Sequence, residues 1–192
     1  MRTTKTPGLK ARCSILAEKW WLIGYLTGDS TLRRYGLRTS TSDPLIAERI
    51  KRYAESWWVR PPDPPSSDPK AHKKPLWIFK IDDPEIIRTV EQIRRSYRFP
   101  KLPKPWLAGY LDADGTVRDS GRAGEVFSID YELIRLITRV AIKLKIKASI
   151  TISAFKDGRL RKNPIYRVYL RPIDKLPSVK VSRNKSLSLI HI

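Results

Sequence analysis

The chain has 192 residues, enough to bury a core as one domain or as two small halves. Lysine and arginine outnumber aspartate and glutamate by 39 to 19, giving a net charge of +20 and a pI near 10.3, an excess that points to a polyanionic partner, nucleic acid before a membrane surface. A single cysteine, Cys13, excludes an internal disulfide and a cysteine-built zinc site, two histidines are too few for a histidine-built metal centre, and no apolar run of membrane-crossing length or leader pattern appears. A prokaryotic cytoplasmic protein that does not enter a membrane is therefore expected. The 15 prolines, set against only Gln92, Asn163 and Asn184 as side-chain amides, lean towards a heat-adapted source.

Residues 1–13 are basic and aperiodic and read as an arm able to touch phosphate. Ser14 is the expected N-cap of a mostly apolar helix running to about Gly28. A short hairpin about Gly36 follows, carrying Arg33, Arg34 and Arg38. Asp43 and Pro44 open a second helix, in which Ile46, Ile50, Tyr53 and Trp57 recur at amphipathic spacing. The stretch 60–75, with six prolines, is an irregular surface excursion. Residues 76–81 alternate as a half-buried strand, with Trp77, Phe79 and Ile81 on one side and Lys80 on the other. A third helix opens at Asp83, turning Ile86, Val90, Ile93 and Tyr97 inward and Arg88, Arg94 and Arg95 outward. Residues 14–98 thus make a first half, and 99–105, rich in proline and lysine, the linker to a second half over 106–192.

That second half repeats the order. Strands over 116–120 and 125–129 bracket a turn, Asp130 caps a helix burying Leu133, Leu136, Ile137, Val140 and Leu144, and 147–155 is the cleanest alternating strand in the chain. Ala148, Ile150, Ile152 and Ala154 share one of its faces. Asp157 and Gly158 mark a turn into a strand over 165–171 that presents Arg167, Tyr169 and Arg171 together. Beyond Pro177 the tail is basic, then apolar, and carries no assignable pattern. Each half reads helix, two strands, helix, strands, helix, an α+β class with two pseudo-symmetric halves.

The repeat is sharpest at Leu107-Ala108-Gly109-Tyr110-Leu111-Asp112-Ala113-Asp114-Gly115. Leu22-Ile23-Gly24-Tyr25-Leu26-Thr27-Gly28-Asp29-Ser30 is its weaker copy, each residue lying 85 positions before its counterpart (22 against 107, 29 against 114), and Trp21 and Trp106 precede the two copies. Asp29 and Asp114 fall at helix C-termini, the end where the helix dipole disfavours a carboxylate. The same misplacement at matched positions argues that something positive is held there. Gly24 and Gly28, and Gly109 and Ala113, lie four apart, so each helix has a smooth stripe on which the other can approach closely. Packing stripe on stripe would bring Asp29 and Asp114 together, and two such hard-oxygen donors suit Mg²⁺. The plainer alternative is ordinary helix packing with two solvated caps; the fixed offset weighs against it.

The stretch 107–115 resembles the LAGLIDADG motif of homing endonucleases, departing from it only at Tyr110 and Leu111, apolar for apolar. The stretch 22–30 is similar, with Thr27 where the motif's first acid stands and Ser30 where its final glycine stands. The resemblance implies a single-chain, pseudo-dimeric member of archaeal, thermophilic, intron-encoded type, acting as a monomer. Its halves would have αββαββα order, with two antiparallel four-stranded sheets forming a DNA-binding saddle. It further implies that Asp29 and Asp114 are catalytic and hold two or three Mg²⁺ ions with help from the carbonyls of Gly28 and Ala113. The implied activity is site-specific hydrolysis of both strands of a long asymmetric duplex, leaving short 3′ overhangs. On such sheets Arg33, Arg34, Arg38, Lys80, Arg118, Lys147, Lys156, Arg167, Tyr169 and Arg171 are the candidates to meet double-stranded DNA in its major groove. No glutamine stands in either hairpin, so a water-polarising role would fall to Ser40, Ser128, Arg34 or Arg118. The rivals on the same scaffold are an RNA-binding maturase, which would take intron RNA as its partner, and a DNA-binding regulator.

Overall fold

A computed structural model of the chain describes residues 9–64, 73–97, 101–156 and 159–183, with the backbone alone described at 9–12, 119, 154–156 and 159–162. The first helix, α1, spans Leu9–Gly28, so Ser14 is an interior residue and not the cap. Leu9, Lys10, Ala11 and Arg12 are good helix formers and nothing among them stops the helix from extending back through the expected arm. Its C-terminal half is buried all round: Trp21, Leu22 and Leu26 are fully enclosed.

After α1 come β1 (Thr31–Arg33), β2 (Gly36–Thr41), α2 (Pro44–Lys51), β3 (Ser56–Arg60), β4 (Leu76–Ile81) and α3 (Pro84–Ser96). The second half runs α4 (Lys104–Asp114), β5 (Gly115–Arg118), β6 (Ala123–Ser128), α5 (Tyr131–Lys143), β7 (Lys147–Lys156) and β8 (Arg159–Arg171), then a last helix, α6, described over residues 179–183. The strands form two four-stranded antiparallel sheets of matching order, β1-β2-β4-β3 and β5-β6-β8-β7. This is the expected α+β architecture. Asp43, Asp83 and Asp130 cap α2, α3 and α5, each accepting from the backbone N–H of the residue two positions on.

One further expectation fails locally. The apolar spacing that carried the second helix to Trp57 outruns it: α2 stops at Lys51, and Trp57 lies on β3, 46% exposed, with the Lys51 ammonium 4.2 Å from its ring centre. A short run at helical spacing cannot compete with the β-branched and aromatic residues of Ser56–Arg60. Ile152 is 61% exposed although Ala148 and Ile150, earlier on the same strand face, pack against the core. The turn at Asp157 and Gly158, residues 65–72 of the excursion, 98–100 before the second half and the tail from 184 lie outside the described residues.

At the centre of the molecule α1 and α4 cross in backbone contact. A Cβ placed on Gly24 would sit 2.0 Å from the Trp106 carbonyl oxygen, and one on Gly109 would sit 1.9 Å from that of Trp21. No side chain fits at either position. One turn further on, a Cβ on Gly28 would lie 2.8 Å from the Ala113 methyl. The small-residue stripes therefore meet, with Trp21 stacked on Tyr25 and Trp106 tilted against Tyr110 along the flanks. None of the described helices is long and apolar enough to cross a membrane.

Candidate carboxylate pair and nucleic-acid interface

The crossing brings the C-termini of α1 and α4 to one place. Asp29 follows α1 and leads into β1; Asp114 is the last residue of α4 and leads into β5. Each acid thus stands at the joint between a central helix and the first strand of its sheet. A Cβ on Gly28 would be 3.5 Å from Asp114 Oδ2, so the second carboxylate lies against the end of the first helix. Partial withdrawal from water, and then the charge of Asp114, raise the Asp29 pKa above the ordinary carboxylate value. Asp114 is also raised by withdrawal from water, against the opposing pull of Tyr110, Lys180 and Arg94. The Tyr110 hydroxyl lies 3.4 Å from Asp114 Oδ2, a long contact that aims a donor at the carboxylate; Tyr25, likewise four residues before its acid, opposes the rise in the Asp29 pKa, while its hydroxyl lies 3.4 Å from the Ser40 carbonyl. Burial pushes both phenols well above their usual range.

Two cations missed in the sequence complete the site. Arg94, expected to point outward, turns back so that its guanidinium donates to the carbonyls of Leu26 (2.6 Å), Ser30 (2.9 Å) and Thr27 (3.0 Å). Lys180, in the unassigned tail, places Nζ 2.6 Å from the Gly115 carbonyl, 3.3 Å from that of Leu111 and 3.5 Å from that of Ala113. In both halves a cation from the last helix satisfies carbonyls at the end of the central one, where the dipole is negative. Burial lowers the pKa of both cations, and the neighbouring carboxylates offset part of that.

Asp112, the other acid of the second motif, has a different task. It is only 2% exposed and accepts from Ser178 Oγ (2.6 Å), Trp21 Nε1 (2.8 Å), Val179 N (2.9 Å) and Lys180 N (3.0 Å). Its apparent misplacement at the end of α4 is resolved by the start of α6, whose backbone N–H groups it caps, so that Asp112 also positions Lys180. Of the three motif acids, Asp29, Asp112 and Asp114, only Asp29 and Asp114 are not committed to such a structural partner. Among the described residues no cluster of three or more metal-ligating side chains occurs.

The strand registers sort the remaining candidates by face. In the first sheet Arg38 lies opposite Lys80, and Ser40 opposite Ile78, which in turn faces Trp58. These residues share the face turned away from Leu37, Phe79 and Ile81 of the core. A cavity of about 560 Å³ opens on it, lined by Asp29, Arg33, Arg38, Ser40, Trp58 and Arg60 among others, so Asp29 sits at the edge of this cationic surface. Arg34 lies in the turn between β1 and β2 with its guanidinium 5.1 Å from the Tyr35 ring, and Arg38 is 5.0 Å from that of Trp58. Lys80 pairs with Glu55.

In the second sheet Thr116, Glu125, Tyr169 and Ser149 form one row of the open face, Phe127, Arg167 and Thr151 the next, and Lys147 stands opposite Arg171. Arg118 reaches Glu125 from β5. Lys156 closes β7, and its side chain lies outside the described residues. Apart from Lys156, the expected cations therefore fall on the two open faces, with Arg34 at a turn.

Residues 103–176 match the family model of the LAGLIDADG-like domain, and the second half accordingly carries such a domain. Among solved structures, the chain is similar to full-length DUF199/WhiA from Thermatoga maritima, with a TM-score of 0.54 and 11% identity over 98% of this chain and 63% of that one. It is also similar to the homing endonuclease I-DmoI, seen in complex with DNA and Ca, with a TM-score of 0.52 and 10% identity over 90% of this chain and 97% of that one. Identities this low show the shared fold alone, and the chain spans less than two thirds of the WhiA chain. No curated protein matches the sequence.

Proposed function

We propose that the protein binds double-stranded DNA across its two open sheet faces and hydrolyses a phosphodiester in each strand with Mg²⁺, as a homing endonuclease does. The observation that carries this is the position of Asp29 and Asp114, at adjoining helix ends and at the inner edge of both cation-bearing sheets. The residues fit a divalent ion on their own chemistry: two hard carboxylates held close enough that one raises the pKa of the other, and neither consumed as a cap. Asp29 and Asp114 would hold the ions, with the Gly28 and Ala113 carbonyls beside them. Bound there, Mg²⁺ supplies the Lewis acidity that lowers the pKa of an attacking water and offsets charge on the departing oxygen.

The chain's own groups do the rest. The cations of the open faces neutralise backbone phosphates and set the duplex over the carboxylates. Tyr110 steadies Asp114, and Arg94 and Lys180 offset negative charge without leaving their helix-end carbonyls.

One observation favours a second reading, DNA binding without cleavage. Lys180 already brings a positive charge to the Ala113 carbonyl, a group the first reading gives to the metal. The test is selection of cleaved molecules from a randomised duplex library with Mg²⁺, run beside Asp29→Asn and Asp114→Asn. Cleavage of both strands by the parent and its loss in both variants, with duplex binding kept, supports the nuclease. Tight duplex binding by an uncleaving parent supports the second reading. Cleavage at the parental rate by both variants removes the carboxylate pair from the chemistry, and binding of structured RNA in preference to duplex points to the maturase.

A further inference from the structure

The open faces of the two halves are built alike and furnished differently. Arg38 on β2 and Glu125 on β6 hold matching positions, opposite Thr31 in one half and Thr116 in the other, and each faces the middle strand of its sheet, Lys80 in one and Tyr169 in the other. Two residues towards the start of that middle strand the pair is Ile78 and Arg167. The first face thus has arginine with lysine and isoleucine where the second has glutamate with tyrosine and arginine.

Glu125 is an unusual residue for a surface meant to meet phosphates. It is 4% exposed although it lies on the open face. Its two oxygens are shared between two arginines from different strands: Arg118 Nη2 lies 3.1 Å from Oε2, and Arg167 Nη1 lies 3.7 Å from Oε1. Arg167 is further steadied by Nε donating to Thr151 Oγ1 at 3.0 Å. Neither arginine is used up by the carboxylate, since Oε2 takes the ion pair without an aligned hydrogen bond. Both arginine side chains are about half exposed. Too deep to reach a base edge itself, the carboxylate can hold two guanidinium forks at a fixed spacing, and a guanidinium so held matches the paired acceptors N7 and O6 of guanine in the major groove.

We propose that Glu125 is a specificity-determining positioning residue: it aligns Arg118 and Arg167 so that each reads a guanine in the half of the target lying under the second sheet. The inference rests on the duplex-binding reading and not on cleavage. The first sheet, with Arg38 and Ile78 in the places of Glu125 and Arg167, holds no matching pair of arginines on a carboxylate among its described residues, so the target is asymmetric in composition.

The test is selection of bound molecules from a randomised duplex DNA library by the parent, Glu125→Gln, Arg118→Ala and Arg167→Ala, without Mg²⁺. The parent is expected to enrich a site with two guanines in one half. E125Q should relax both positions by at least about five-fold in base preference, the low end for one bidentate contact, while total DNA affinity holds or rises because a negative charge has left a basic surface. R118A and R167A, changed at exposed side chains, should each relax one guanine and leave the other. A variant set that enriches the parental site unchanged overturns this inference alone, as does a parental site without guanines in either half. A parent that enriches no duplex overturns the duplex-binding reading, and this one with it.

Discussion

Replacing Gly24 or Gly109 by alanine tests the contact on which the carboxylate pair depends. The added methyl would stand 2.0 Å from the Trp106 carbonyl oxygen in one case and 1.9 Å from the Trp21 carbonyl oxygen in the other, against an ordinary contact of about 3.4 Å. The obstacle is backbone on a neighbouring helix, with no flexible side chain to give way, so α1 and α4 must part by about 1.4 Å or tilt. A gap of that size forfeits a large share of the dispersion between Trp21, Tyr25, Trp106 and Tyr110, which flank the crossing. Overpacking of a core generally costs about 1–3 kcal/mol. Here the cost should reach or exceed the upper end, less roughly 1 kcal/mol for the better helix propensity of alanine. Each single variant should therefore lose about 2 kcal/mol or more in urea denaturation at unchanged m-value. The double variant should lose less than the sum, because helices already moved apart accept the second methyl cheaply. Gly28→Ala, whose methyl would overlap the Ala113 methyl at 2.8 Å and meet Asp114 and Tyr110 at an ordinary 3.5 Å, should cost less than either. If Gly24→Ala and Gly109→Ala match the parent within about 0.5 kcal/mol, roughly the level at which surface changes fall, the helices do not touch backbone to backbone and nothing holds Asp29 near Asp114.

Asp114→Asn should stabilise the metal-free chain as pH rises. The folded-state pKa of Asp29 is raised, so the folded chain binds protons more readily than the unfolded one; stability is lost as pH climbs from about 4 through the raised value. Removing the Asp114 charge lessens that loss, and melting curves with pH should diverge for parent and variant and reconverge with Mg²⁺; parallel curves would contradict the coupling. Asp112→Ala removes a buried, four-fold hydrogen-bonded carboxylate and should cost about 3–5 kcal/mol. It should also speed proteolysis within residues 177–183, and a protease-resistant variant would show that α6 does not depend on this cap. Duplex binding should fall steeply with salt, with a log–log slope of about −0.9 for each phosphate neutralised, and a flat dependence would deny the cationic faces their role.

Much of this architecture could be read directly from the residues, because it follows from local rules. Asp43, Asp83 and Asp130 announce their helices by cap chemistry that needs no tertiary partner. The alternation around Phe79 and Ile81 gives a strand and its buried face, and the duplicated stripe of small residues gives the crossing of α1 and α4. What escaped depends on partners far along the chain. Arg94 looks like any cation on the outer side of an amphipathic helix until α1 ends beside it and offers three carbonyls. Lys180 sits in a tail with no periodicity of its own, ordered by an acid 68 residues earlier. Glu125 opens the strand expected over 125–129 with nothing local to mark it out; only the pairing of β6 with β8 and β5 encloses it between two arginines.

The weaker copy of the motif poses the opposite question: whether aspartate at position 27, matching Asp112, would repair the first half. Trp21 Nε1 donates to Asp112 across the crossing, and its counterpart Trp106 Nε1, equally buried, has no hydrogen-bond partner among the described residues. An acceptor at Thr27, the symmetry-related position, could restore that bond, since the threonine hydroxyl is turned to the Ile23 carbonyl instead. Yet Trp21 is one of four donors that make the Asp112 carboxylate tolerable; the other three come from Ser178 and the first N–H groups of α6. The first half has no helix start at the corresponding place. Positions 93–95, which lie 85 before 178–180, fall in the last turns of α3, which began at Pro84 under its own cap Asp83. A buried carboxylate left with one indole donor loses several kcal/mol of solvation against about 1–3 kcal/mol recovered at the indole. Thr27→Asp should therefore destabilise the chain in urea denaturation although it brings the sequence closer to the motif. A gain in stability would mean that donors for a second buried acid exist in the first half, and that the asymmetry between Thr27 and Asp112 is not set by where the last helix of each half begins.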